Sequence, residues 1–373
     1  MTEPNRRIAI IDHVGSKAGM DYYTYMLASG LTQASCTVAV FSNFRKDDSS
    51  IRFFPYFITH TRSNLKKAWN HFSAFLKTAL SCRRQGYKLA IVHLFSYTLK
   101  DLYALLILHI FGIKIIAIVH DVQSFAGNDH PLSQQIIFKY LTDRLMVHNR
   151  FSYRVAADSF GKTVTAKMKI IPHGNFHSLA KARPEQKAAA RALLHLDPAI
   201  TYLLFFGQIK DVKGLDIRIK AMPHLPGNVH LLIAGKPWKN DFRFYENLID
   251  QSDAGARIHK QIGFIEDEQR DLLFKACDLL ILPYKEIFQS GVQLMAMSYK
   301  IPIVASNLEP MRELIRHGES GFLFETENEL SLAASVREAL SRPDLLPSVA
   351  ETAWERTKNT NDWKEIANQI INW

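Results

Sequence analysis

Two short stretches in the second half hold the residues best suited to chemistry. The first is FFGQIKDVKGLDIRIKAM, 205–222. An apolar run ends at Gly207, Lys210 and Lys213 follow, and Gly214 leads into an amphipathic pattern carrying Leu215, Ile219 and Met222. Two ammonium groups just before a helix N-terminus suit a diphosphate, because unpaired N–H groups and the positive end of the helix dipole add to their charge. A solvated turn with ordinary lysines has the same pattern, since a Lys-Gly step is a weak motif. The second stretch is PYKEIFQSGVQLMAMSYKIPIVAS, 283–306. Ser290 has the character of an N-cap. Gly291 lacks a Cβ, so a phosphate or sugar can approach the backbone. Glu286 offers a carboxylate for sugar hydroxyls, the alternative being a solvated side chain.

The first half offers fewer candidates. In IVHDVQSF, 118–125, His120 and Asp121 follow directly on an apolar run. A histidine at the carboxyl end of a strand can orient a hydroxyl or stabilise developing charge; otherwise it hydrogen-bonds to nearby backbone. His173, in PHGN, either faces a ligand or serves a hinge. Gly15 and Gly19 flank a small-residue loop that is not a G-x-G-x-x-G fingerprint, which disfavours a nicotinamide cofactor. The acids of IEDEQRD, 265–271, read as a helix start. Hard cations want several converging oxygens, and no metal is expected.

These groups need elements to position them. Apolar runs at 7–12, 36–41, 89–95, 114–120, 144–149 and 168–174 read as strands, as do those at 201–207, 229–235, 257–263, 278–283 and 301–306. Runs of this kind belong to strands covered on both faces. Their alternation with helical patterns predicts parallel sheets built from right-handed βαβ units. The strand-free, charged stretch 175–200 marks a break. The expected fold class is therefore α/β, with two doubly wound domains of similar size and a cleft between them. Ligands of such sheets bind beyond the carboxyl ends of the strands, where the candidate residues fall.

A chain of 373 residues is consistent with two domains. Apolar content of 47% and charged content of 22% are those of a soluble globular protein. Three widely separated cysteines exclude a clustered metal site and suit a reducing compartment. The opening MTEPNRR lacks the apolar core of a secretory leader. The apolar stretch 102–119 is interrupted by His109, Gly112 and Lys114, and reads as a buried helix to about Phe111, a glycine turn and a strand, rather than a membrane span. Residues 1–175 carry a net charge of +12 and residues 176–373 a net of −2. That asymmetry implies an anionic partner for the first half. NLKKAWNHFSAFLKTALSCRR, 64–84, places Leu65, Ala68, Trp69, Phe72, Leu76 and Leu80 at helical spacing, flanked by Lys66, Lys67, Lys77, Arg83 and Arg84. Basic amphipathic helices with Trp and Phe lie in membrane interfaces. The alternative is a helix that packs its stripe on the sheet with its charges in water; both readings hold if the stripe packs inward and the lysines face lipid.

The segments FGQIKDVKGLD and LPYKEIFQSGVQLMAMSYKIPIVASNLEPMRELI resemble the two signature segments of the GT-B retaining glycosyltransferases of family 4. The similarity is strongest over about 200–325. The resemblance implies a GT-B fold of two Rossmann-like domains, at 1–175 and 200–355, joined by a linker at 176–199. The closing helix, 356–373, would cross back to the N-terminal domain. It also implies transfer of a sugar, with retention, from a nucleotide-diphosphate sugar (UDP- or GDP-sugar) to a glycan or lipid-linked acceptor, as in cell-surface polysaccharide or glycolipid synthesis. The nucleotide sugar is then a substrate and no cofactor is needed. By position, Lys213 falls on the family's phosphate-binding lysine, and the arginine usual after the glycine is Gln208. The paired-glutamate positions fall on Ile287, beside Glu286, and on Met295. The Ser290-Gly291-Val292 backbone would bind diphosphate, Glu286 and His120 would hold the sugar, Phe264 and Ile265 would lie along the base, and Gly19 belongs to the first loop. The implied partners are the donor, the acceptor and an anionic membrane surface met by Lys66, Lys67, Trp69, Arg83 and Arg84, without nucleic acid. The implied location is cytoplasmic and peripheral on the inner face of the cytoplasmic membrane. A nucleotide-sugar epimerase or hydrolase of the same fold and a non-catalytic partner subunit are the rival readings.

Overall fold

The computed structural model describes residues 6–57, 63–124, 129–182, 186–238 and 241–373. Most of the opening stretch, on which the reading of no secretory leader rests, lies outside the described residues. The chain divides into two compact units, Met1–Gly174 with Thr360–Trp373, and Asn175–Asn359.

The first unit is built on strands β1 (Arg7–Ile11), β2 (Thr37–Phe41), β3 (Ile51–Phe54), β4 (Leu89–Leu94), β5 (Lys114–Val119), β6 (Arg144–Val147) and β7 (Met168–Ile170). They form one parallel sheet in the order β3-β2-β1-β4-β5-β6-β7. Parallel pairing needs a crossover between strands, and helices such as α1 (Met20–Gln33), α2 (Asn64–Gln85) and α3 (Leu99–Ile110) supply it. The second unit holds β8 (Thr201–Phe206), β9 (Val229–Gly235), β10 (Ile258–Ile262), β11 (Leu279–Leu282), β12 (Ile303–Ser306) and β13 (Phe322–Phe324), parallel in the order β10-β9-β8-β11-β12-β13. The eleven expected strands are all present. β3 and β13, which the apolar runs did not announce, are edge strands of four and three residues, too short for a buried run to register.

The stretch 102–119 is α3, a glycine turn and β5, as its interruptions imply. A reciprocal cap starts α3: Asp101 N donates to Thr98 Oγ1, and Thr98 N donates to Asp101 Oδ2 at 2.9 Å. Among the described residues no helix is long and apolar enough to cross a membrane.

Residues 176–199, expected as a linker, belong to the second unit and carry the helices His177–Ala182 and Lys187–Leu193. Buried Arg191 pins this segment, donating to Ala276 O at 3.0 Å and to Asp278 Oδ2 at 2.6 Å. The closing segment 356–373 is also divided. The helix Leu346–Lys358 ends within the second unit, and the helix Trp363–Ile371 belongs to the first. Trp363, Ile366 and Ile370 of that last helix join Leu27, Leu31, Ile8 and Ile10 in one apolar core. A Cβ on Gly174 would lie 2.1 Å from the Trp363 indole, so this close approach requires glycine.

Candidate functional site

In the second unit the chain runs from β8 to β9 and β10 on one side, then returns to β11 on the other side of β8. The loops after β8 and β11 therefore flank a topological switch point, where open α/β sheets bind ligands. Backbone contacts tie these loops together. Lys285 N donates to Val212 O at 2.9 Å. Gly214 has φ of 66°, and a Cβ there would lie 1.8 Å from Pro283 O. The Lys285 ammonium contacts Asp211 at 2.9 Å and Asp216 at 3.3 Å. Burial pulls its pKa down, but the hydrogen bonds and charges of these two carboxylates raise it, for a net rise.

Lys213 Nζ sits 3.7 Å from the ring centroid of Tyr284. The ring's negative face holds the ammonium without neutralising it. Lys210 Nζ lies 4.4 Å from the ring centroid of Trp238, and an isolated bridge between Ile209 and Pro237 brings that pair together. Buried Ser290 caps the helix Gly291–Ser298, its Oγ accepting from Gln293 N at 3.1 Å. The N–H groups of Gly291 and Val292, in the first turn, have no intrahelical acceptor. A Cβ on Gly207 would lie 3.6 Å from Val292 Cγ2, so the end of β8 adjoins that turn. Glu286 is exposed. Phe264 is 65% exposed after β10, with Ile265 half-buried beside it. Gln208 is exposed, and Met295 is buried and offers no carboxylate.

The first unit also has a switch point, between β1 and β4. Asp12 follows β1, and its Oδ1 accepts from Val14 N at 3.1 Å and Gly15 N at 2.8 Å. Its Oδ2 accepts from Thr24 Oγ1, on α1, at 2.7 Å. Thr24 Oγ1 is 3.3 Å from His93 Nε2, and His93 Nδ1 is 2.9 Å from His120 Nε2. The Phe95 ring stacks on His120 with centroids 4.3 Å apart and planes 5° apart. His148 Nδ1 is 3.0 Å from Ile171 O, and His173 Nδ1 is 2.7 Å from Gly174 O. Tyr23 packs edge-on or tilted against all four histidines. Burial lowers every one of these pKa values: His93 and His173 to about 4, His148 to about 3, and His120 well below the usual value, where the neighbouring histidines lower it further. Among the described residues no group of three or more His, Cys, Asp or Glu could hold a metal ion.

On α2 the stripe read from the sequence faces outward, so the alternative in which it packs on the sheet does not hold. Leu65 is 84% exposed and Trp69 67%, while Phe72 and Leu80 are also exposed. The face that packs inward is Ala74, Phe75, Thr78, Ala79 and Cys82. The inward set has small residues that allow close packing, so a stripe chosen for bulky apolar residues follows a different face. Lys66, Lys67, Lys77, Arg83 and Arg84 are exposed around it, and Trp69 and Phe72 stack at 5.9 Å.

Residues 190–356 match the family model for glycosyl transferases group 1. Over these residues the chain is similar to that family. A D-inositol 3-phosphate glycosyltransferase of Rhodococcus jostii (strain RHA1) is 27% identical over 202 residues, which is 52% of this chain and 44% of that protein. The match thus spans less than half the length of that curated relative. A sucrose-phosphate synthase from Thermosynechococcus elongatus has a similar structure, with a TM-score of 0.81 at 19% identity over 99% of this chain and 98% of that one. Anabaena HepE in complex with UDP-glucose gives a TM-score of 0.78 at 18% identity over 98% of each chain. The fold class is GT-B, with two Rossmann-like parallel-sheet domains.

Within the segment that matches the group 1 model, one switch point gathers Gly207, Lys210, Lys213, Glu286, Ser290, Gly291 and Val292 from two loops. Phe264 and Ile265 follow the edge strand β10, two strands away from β8. Gly19, with φ of 70°, ends a short 3-10 turn and starts α1 in the first unit, where His120 also lies. The sequence reading missed Asp12, Tyr23, Thr24, His93 and His148. A signal for all four histidine positions was nevertheless present: the runs 89–95, 114–120, 144–149 and 168–174 each contain a histidine at or near their carboxyl end.

Proposed function

We propose that this protein is a retaining glycosyltransferase that moves a hexose from a UDP- or GDP-sugar to a glycan or lipid-linked acceptor, in cell-surface polysaccharide or glycolipid synthesis. The observation that carries the reading is the pairing, at one switch point, of Lys213 and Lys210 with the capped first turn at Ser290-Gly291-Val292. Cations and oriented N–H groups stabilise a diphosphate most when its charge grows, as it does on departure. In the reaction the bond from the anomeric carbon to the diphosphate breaks. A bond to the acceptor oxygen forms on the same face, and the acceptor proton passes to the departing diphosphate. No protein nucleophile takes part. Phe264 supplies a stacking surface for the base, and Glu286 accepts hydrogen bonds from sugar hydroxyls.

The exposed stripe and basic rim of α2 support an acceptor side lying on an anionic bilayer, at the inner face of the cytoplasmic membrane. A thermal-shift panel of UDP-, GDP- and dTDP-sugars tests the donor assignment, since a ligand that binds only the native state raises its apparent stability. The expected result is a rise with one nucleotide class, followed by acceptor-dependent transfer that persists in EDTA. Conversion of the donor without any acceptor would assign an epimerase or hydrolase instead.

A further inference from the structure

The four buried histidines of the first unit are not equivalent. A carbonyl oxygen only accepts, so the contacts to Ile171 O and Gly174 O place the proton of His148 and His173 on Nδ1. His93 is held by side chains at both nitrogens. Thr24 spends its hydroxyl proton on Asp12 Oδ2 at 2.7 Å. Towards His93 Nε2, at 3.3 Å, Thr24 Oγ1 can then only accept, so that nitrogen carries the proton. A neutral His93 has its lone pair on Nδ1, 2.9 Å from His120 Nε2, and His120 must donate there. The lone pair of His120 therefore lies on Nδ1, opposite to the arrangement in His148 and His173. Phe95 fixes the plane of that ring.

We propose that Asp12, Thr24 and His93 are positioning residues that fix His120 as the Nε2-protonated tautomer, so that its Nδ1 accepts a hydrogen bond from a hydroxyl of a sugar ligand. The ligand class rests on the function proposed above; the tautomer does not. Burial keeps the four rings neutral near pH 7, which leaves tautomer rather than charge as the property to be set. A hydroxyl can donate to one tautomer's Nδ1 and not to the other's, so this chain decides whether His120 acts as acceptor or donor.

The test is the nitrogen-15 spectrum of histidine-labelled, ligand-free protein, with the His120 and His93 signals assigned through His120→Gln and His93→Gln. The expected wild-type pattern is Nε2–H for both rings. Thr24→Val removes the acceptor and should move His120 towards Nδ1–H, whereas Thr24→Ser should keep the wild-type pattern. Transfer by Thr24→Val should fall about tenfold in kcat/KM, the worth of one neutral hydrogen bond, and recover in Thr24→Ser. Nδ1–H on His120 in the wild type would overturn the proposal, as would a Thr24→Val spectrum identical to wild type in a folded protein. If the tautomers are as described but no nucleotide sugar is turned over, the functional reading fails and the chain of hydrogen bonds stands. If transfer occurs with the other tautomer, the chain fails alone.

Discussion

Lys213 Nζ lies 3.7 Å from the ring centroid of Tyr284, so a cation from the loop after β8 rests on an aromatic ring from the loop after β11. The contact fixes where the charge can be without cancelling it. Lys213→Ala should lower transfer by two or more orders of magnitude, about the cost of losing one preorganised group that stabilises a leaving charge. The fold and melting temperature should be unchanged, and near-wild-type turnover would sink the assignment. Tyr284 is 1% exposed and its hydroxyl has no hydrogen-bond partner among the described residues. Tyr284→Phe should therefore retain both stability and transfer, while Tyr284→Leu should lose transfer together with the ring.

The histidine cluster makes the first unit sensitive to acid. Each ring's native pKa lies below the unfolded value near 6.5, so between the two values the unfolded chain binds more protons. Stability is full above about pH 6.5 and is lost as pH falls towards about 4, by up to about 1.4 kcal/mol per pH unit for each ring. Urea midpoints should be nearly level from pH 7.5 to about 6.5 and fall from there to pH 5. A midpoint that does not change over that range would count against burial as the cause.

Trp363 stands at 89° to the Tyr23 ring with centroids 4.9 Å apart, and Asn361 Nδ2 donates to His173 O at 2.7 Å. The closing segment thus packs on Tyr23 and holds the His173 backbone, both beside the histidine rings. Trp363→Ala should cost about 3–5 kcal/mol. It should also broaden or shift the His173 and His148 ring signals, and an unshifted spectrum would show that the helix does not organise them.

The outward stripe of α2 should bind vesicles containing anionic lipid. Replacing Lys66, Lys67, Arg83 and Arg84 by serine removes about 1 kcal/mol of surface attraction per charge, so co-flotation at low salt should fall at least tenfold. Trp69→Ala should weaken it further. Failure of the wild type to co-float with anionic vesicles would remove the membrane reading.

Much of the fold was legible because buried parallel strands are written as continuous apolar runs. β3 and β13 escaped because an edge strand is not covered on both sides and needs only a few residues. The grouping of Lys210, Lys213, Ser290 and Gly291 at one switch point was legible because these residues are local in sequence, adjoining their strand ends. The histidine chain was not, because Asp12, Thr24, His93 and His120 meet only after β1, β4 and β5 are laid side by side, and that order is a tertiary fact. Which face of α2 packs was not legible for a related reason. Periodicity finds an apolar stripe, but which stripe packs depends on the space beneath it, and here small residues fill that space.

The return of residues 360–373 to the first unit also sets an order in time. During synthesis N-terminal domains generally fold first, yet the apolar face of α1 that receives Trp363, Ile366 and Ile370 has no cover until the ribosome has made the whole second unit. The first sheet is thus translated before the second unit and completed only after it. A nascent chain stalled before Thr360 presents that open face to chaperones.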